Sequence, residues 1–226
     1  MIFAKDFLPQ MMNSPLFRDI SEDDLPGVMT CVGAYTKSYD KGAFIHLQDD
    51  QILSVGVVLS GSVQMIREDV WGNKALLLRM QPGELFGETF VCGGIHNKLV
   101  SFVAAERAVV LFVPFKRALT TCAQSCGFHR QLIENMVAAI AEKNVALMEK
   151  VDLISKKSLR EKLCEYLTRR SEYADSMSFE IPLGRVQLAE DLHADRSALT
   201  RELNRMAEEG LIEFSRNRFK ILKQLI

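Results

Sequence analysis

The sequence predicts an α+β chain: an N-terminal double-stranded β-helix (jelly-roll) domain, one long helix, and a C-terminal winged helix-turn-helix. Three observations predict it. Short β-branched runs bounded by glycine fill the first half; a stretch without proline or glycine follows, made of good helix formers; and the last third reads as a short helix, a tight turn and a longer helix.

The β region comes first. Val55–Leu59, Val63–Ile66, Ala75–Leu78 and Val109–Val113 are strand-length apolar runs, and Gly42, Gly61, Gly72 and Gly83 punctuate them. Asp69–Asn73 reads as a hairpin loop, where glycine or asparagine takes the positive φ of a tight turn. Many short strands at regular spacing imply a roll or sandwich, and the domain is assigned to residues 1–127.

Residues 128–155 form the long helix. Ile133, Ile140, Leu147 and Ile154 recur every seven residues, and Val137, Asn144 and Val151 form a second series between them. This a/d pattern is a coiled-coil seam, which predicts a homodimer zipped along the helix. Asn144 falls at an a position, where asparagine lowers stability but fixes register in a two-stranded parallel coil.

Residues 156–226 hold the predicted winged helix-turn-helix. Ser158–Ser171 has helical spacing, and Ser178–Ile181 alternates like a strand. Val186–Leu192 and Arg196–Glu209 are the two helices, with Gly210 placed to end the second in the left-handed region. Leu211–Phe214 and Arg218–Ile221 make a two-stranded wing. Asp195 caps the second helix. In such motifs the first turns of the second helix reach base edges, and arginine reads guanine O6 and N7 as a bidentate pair. Base reading is therefore assigned to Arg196, Ser197, Thr200 and Arg201, and phosphate contact to Arg185, Gln187, Asn204, Arg216, Arg218 and Lys220.

Bulk properties narrow the choice of function. The 226-residue chain is 48% hydrophobic and 25% charged with a formal net charge of −1, so a reading based on nucleic acid must rest on local placement. Residues 155–226 carry a net charge of +2 and the remainder −3, the right sign for DNA but a small asymmetry. No apolar run is long enough to span a bilayer and the N-terminus lacks a signal-peptide pattern, which predicts a cytoplasmic protein with no membrane partner. The five cysteines form no CxxC pair and read as small hydrophobes, and the four histidines make no HxxxH or HExxH pattern, so no metal site is predicted. No catalytic residues are assigned, because no nucleophile–base pairing, P-loop or dinucleotide fingerprint is present.

Leu59-Ser-Gly-Ser-Val63, Gln81-Pro-Gly-Glu-Leu-Phe-Gly-Glu88, the long helix, Leu188-Ala-Glu-Asp-Leu192 and Asp195-Arg-Ser-Ala-Leu-Thr-Arg-Glu-Leu203 occur in this order and spacing. Together they resemble the CRP/FNR superfamily, relatives of the cyclic-AMP receptor protein, along nearly the whole chain. The resemblance implies a dimeric, effector-responsive transcription regulator that binds double-stranded DNA and works with RNA polymerase. It also implies an effector pocket, assigned to Gly87, Glu88, Thr89, Lys98, Leu99 and Leu147, with Glu88 where cyclic-AMP binders hold the ribose. The arginine that those relatives place on the cyclic phosphate has no counterpart near Lys98-Leu-Val-Ser101, which counts against cyclic AMP. Cys31 alone near the N-terminus counts against an iron–sulfur cluster. Haem stays open, with His46, His96 or Cys92 as axial ligand, and the effector's identity is unknown. Switching is expected through a hinge near Asp152–Lys156. An alternative reading is an interaction module whose helix-turn-helix meets protein and not DNA.

Overall fold

The computed structural model describes residues 7–97, 99–119 and 127–225. Lys98, Cys122 and Cys126 lie outside the described residues. The chain divides into two compact units, residues 1–143 and 144–226.

The first unit opens with helices α1 (Leu8–Met12) and α2 (Leu25–Val32). Two four-stranded antiparallel sheets follow. One runs in the order β1 (Tyr35–Tyr39), β8 (Ala108–Pro114), β3 (Ser54–Ser60), β6 (Leu85–Phe86); the other runs β2 (Phe44–His46), β7 (Ser101–Ala104), β4 (Val63–Glu68), β5 (Lys74–Met80). This is the predicted roll. Six successive residues of β3, from Ser54 to Leu59, are buried, as befits a central strand covered on both faces. The β4–β5 hairpin is closed as its sequence predicts: Asp69 Oδ1 accepts from the backbone N–H groups of Trp71 and Asn73, both at 2.9 Å. β5 is an edge strand whose Leu76, Leu77 and Leu78 face solvent, so that apolar run forms a strand without joining the core.

Aromatic rings fill the space between the sheets. Phe86 lies 5.1 Å from Phe102 across the roll, Phe112 meets Phe86 edge-on at 6.4 Å, and His46 meets both Phe102 and Phe112. The Phe86 ring stands directly over the Gly56 backbone, where any Cβ would collide with it.

Helix α3 (Glu88–Gly93) follows β6, and α4 (Phe115–Leu119) follows β8. Helix α5 spans Phe128–Ser155, the bounds read from the sequence. Its Leu132, Met136 and Ala139 are buried in the first unit's core. Buried Asn135 donates from Nδ2 to the carbonyls of Leu16 and Arg18, at 3.0 and 2.7 Å, and so ties the N-terminal segment to the helix.

The second unit builds its own core from Leu163, Leu167, Leu188, Leu199, Leu203, Met206, Ile212 and Phe219. Its elements are α6 (Leu159–Tyr173), β9 (Ser178–Glu180), α7 (Arg185–Asp191), α8 (Arg196–Glu208), β10 (Ile212–Ser215) and β11 (Arg218–Ile221). Gly210, at φ +69°, ends α8 in the left-handed region while Leu211 N–H donates to the Met206 carbonyl. The wing has three strands, not two: β9 pairs with the free side of β11. The segment Asp152–Lys156, where a hinge is expected, is tied into this unit by side-chain contacts. Asp152 pairs with Lys156 at 3.1 Å and with Arg169 of α6, and Leu153 is buried among core residues.

Candidate functional site

The helix-turn-helix presents its second helix in a rigid frame. Asp195 caps α8: its Oδ1 accepts from the backbone N–H of Ser197 at 2.8 Å and of Ala198 at 3.1 Å. The Ser197 hydroxyl, these N–H groups and the nearby Arg201 charge all hold the Asp195 carboxyl below its ordinary pKa. Leu199, Leu203 and Met206 are wholly buried, which turns the opposite face of α8 outward. Arg196, Ser197, Thr200, Arg201 and Asn204 are all exposed on that outward side.

The side chains differ in what they have left to offer. The Ser197 hydroxyl donates to Asp195, and the Thr200 hydroxyl donates to the Arg196 carbonyl at 2.9 Å. Neighbouring cations are occupied too. Arg160 pairs with Glu202 and Glu209, Arg205 with Glu209, Arg218 with Glu180 at 3.4 Å, and Lys220 with Glu213 at 3.6 Å. Among the described residues, Arg196, Arg201 and Arg216 form no ion pair. Gln187 uses its Oε1 to accept from the Gly184 N–H and closes the start of α7.

Arg185 is committed inward. Its guanidinium lies over the Phe214 and Phe219 rings, 4.9 and 5.2 Å from their centroids, and donates to the Arg216 carbonyl at 2.9 Å. Burial lowers its pKa. The contact locks the wing's turn onto α7, an arrangement the sequence reading missed. A lone arginine at a helix start, with two phenylalanines in the wing, was the available signal.

Along α5 the residues of the expected seam are open. Val137, Leu147, Val151 and Ile154 are 62%, 60%, 53% and 38% exposed, Asn144 is exposed, and Ile133 and Ile140 are half-buried. Val145 and Met148 add to this apolar surface.

The expected effector residues differ in their surroundings. Gly87 and Glu88 are buried, Thr89 and Leu99 face solvent, Lys98 is outside the described residues, and exposed Leu147 belongs to the second unit. What the fold does build around Glu88 is an ion pair. The carboxylate is 4% exposed, and its Oε1 accepts from Lys143 Nζ at 2.7 Å. Lys143 also donates to the Leu85 carbonyl at 2.8 Å, while Glu88 Oε2 has no hydrogen-bond partner among the described residues. Lys143 was missed from sequence, although it continues the inward stripe of Leu132, Met136 and Ala139.

The three candidate haem ligands differ in their surroundings. Burial, then the Glu88 charge, push the Cys92 thiol up to about 11, which suppresses the thiolate. His46 sits in the aromatic core, and burial lowers its pKa. His96 is exposed and lines a cleft with Ile52, Phe90, Ile95 and Phe115.

Comparison with known proteins agrees with this architecture. Residues 36–125 match the family described as Cyclic nucleotide-binding domain, and residues 161–224 match Crp-like helix-turn-helix domain. The chain is 24% identical over 202 residues to a cyclic AMP receptor protein of Thermus thermophilus, covering 89% of each. The crystal structure of the Thermus thermophilus catabolite activator protein shares the fold, with a TM-score of 0.53 and 23% identity over 92% of this chain and 93% of that one. So does the c-di-GMP-responsive global regulator CLP of Xanthomonas campestris, at a TM-score of 0.56 and 15% identity over 88% and 99%. With a domain matching the cyclic nucleotide-binding family, a long helix and a Crp-like helix-turn-helix domain in one chain, the protein has the organisation of the CRP/FNR regulators.

Proposed function

We propose that this chain acts as a homodimer that reads DNA with the first turns of α8 and answers to a small-molecule effector. The observation that carries the reading is the state of Arg196 and Arg201. Both are exposed on the outward face of a capped helix and keep their guanidinium donors free of carboxylates, while the cations around them are paired. Two such helices in a symmetric dimer would enter major grooves about 34 Å apart. Arg216 at the wing tip, with Asn204, supplies phosphate contact; Arg218 and Lys220 do so only by sharing or leaving their carboxylate partners. The apolar surface from Val137 to Ile154 supports dimerisation through α5.

An effector works only by binding one arrangement of the dimer better than the other. The pair between Glu88 and Lys143 lies at the end of the first unit, and a ligand competing for Lys143 would act there. We place the protein in the cytoplasm beside RNA polymerase, in keeping with a regulator of transcription.

The test is a salt-dependent gel shift on genomic fragments. Arg196→Ala and Arg201→Ala are each expected to cost about 1–3 kcal/mol on the selected fragment while leaving non-specific binding nearly unchanged. Unaltered selectivity in both variants would sink DNA reading through α8, and capture of a protein in place of a duplex would favour the interaction-module alternative. Sedimentation as a monomer at working concentration would end the dimer reading.

A further inference from the structure

Cys31 and His129 sit far from the DNA-reading helix and from Glu88 in sequence, and no role yet described uses them. We propose that they form a thiol–imidazole pair, with His129 taking up the thiol proton as the sulfur attacks, that reacts with hydroperoxides, a modification site in addition to DNA reading.

The geometry fixes the chemistry. His129 is 5% exposed, and its Nδ1 lies 2.9 Å from the Ala118 carbonyl oxygen. A carbonyl only accepts, so Nδ1 carries the hydrogen, and Nε2 is the position left to exchange a proton. Nε2 faces Cys31 Sγ at 3.1 Å. A nucleophilic sulfur, a base within hydrogen-bond reach and a third group orienting that base are the three parts of an activated thiol. Cys31 itself is half-buried, so a small oxidant can reach it.

The surrounding charges are few. Helix α2 has no ionisable side chain but Cys31 between Leu25 and Val32, and its acidic residues Asp23 and Asp24 precede the far end. The carbonyl end of α2 opposes a thiolate at Cys31. From α4, the Arg117 guanidinium packs against the Gly33 backbone two residues on and favours the thiolate. From α5, Arg130 beside His129 is engaged with Glu134 at 2.6 Å. The other described thiols contrast with Cys31. Burial raises both Cys92 and Cys164, and neither has an imidazole partner among the described residues.

The step balances. The thiolate attacks the hydroxyl oxygen of ROOH, an S–O bond forms and the O–O bond breaks. Sulfur is oxidised by two electrons to Cys31–SOH, and the departing alkoxide takes the proton from His129 Nε2 and leaves as ROH. The sulfenic acid replaces the contact that joins α2 to the first turn of α5.

The test is peptide-resolved alkylation of the full-length chain by iodoacetamide across pH, followed by hydroperoxide treatment and dimedone trapping. At pH 6.5, Cys31 is expected to alkylate at least tenfold faster than Cys92 or Cys164, and to be the first of the three to trap dimedone. His129→Gln keeps a hydrogen-bonding group near the sulfur but cannot hold the proton, and is expected to lose that advantage tenfold or more. An unchanged rate in His129→Gln overturns the proposal. If that variant does not fold, the wild-type profile decides: Cys31 reacting no faster than Cys92 and Cys164 means the contact is a structural tie only.

Discussion

Lys143→Met isolates the ion pair at the end of the sensor unit. Glu88 is 4% exposed with one oxygen on Lys143 and the other without a partner among the described residues, so removing the lysine leaves a buried carboxylate almost unsupported. Breaking a fully buried pair costs about 3–5 kcal/mol. The lysine side chain is 48% exposed, so water takes over part of its work, and the expected loss is roughly 2–3 kcal/mol. At roughly 2–4 °C per kcal/mol for a unit of this size, calorimetry should show its transition fall by about 4–12 °C at pH 7.5. Glu88→Gln combined with Lys143→Met removes the charge along with its partner and should recover most of the loss. A single variant as stable as wild type, or a double variant no better than the single, would refute the reasoning.

Four further outcomes are expected. Glu88→Gln alone removes one of the two causes holding the Cys92 thiol up at about 11, so its alkylation profile should move to lower pH. Arg185→Ala loses the rings of Phe214 and Phe219 and the Arg216 carbonyl, at a cost of about 1–2 kcal/mol; trypsin should cut the wing turn faster, and Arg185→Lys should not restore the fork. Asp195→Ala should lower the melting temperature of the C-terminal unit. Because the folded Asp195 pKa is depressed, its contribution is present above the ordinary carboxylate pKa and disappears as pH falls through the depressed one; Asp195→Asn, which still caps, should remove that pH dependence. Asn144→Leu should strengthen the dimer and blur its stoichiometry, and sedimentation of the two proteins side by side checks it.

Elements with a strong local code were legible in the sequence. The start of α5 follows from Gly127 and a run of good helix formers after it, the start of α8 from an aspartate cap, and the β4–β5 turn from Asp69 and Gly72. Contacts between distant segments were not. Lys143 with Glu88, Asn135 with the Leu16 and Arg18 carbonyls, and Cys31 with His129 join positions 55, 119 and 98 residues apart in the largest case of each, and no spacing rule links them. The effector residues are expected from likeness to relatives and not from a local pattern, and the meeting of Phe86, Phe102 and Phe112 inside the roll was likewise not written in any spacing. The ion pair between Asp152, in the segment expected to act as a hinge, and Arg169 is another contact between separated positions that no spacing rule announces.

One feature of α5 has mechanical weight. Every residue from Ala141 to Met148 is exposed, so for two full turns the helix buries no apolar side chain, although Glu142 pairs with Arg18 and Lys143 with Glu88. Backbone hydrogen bonds alone hold so short a stretch poorly in water. Amide exchange over 141–148 would therefore act as a gauge: quick while this surface is bare, slow once another surface lies along it, and adjustable by anything that strengthens or relaxes that grip.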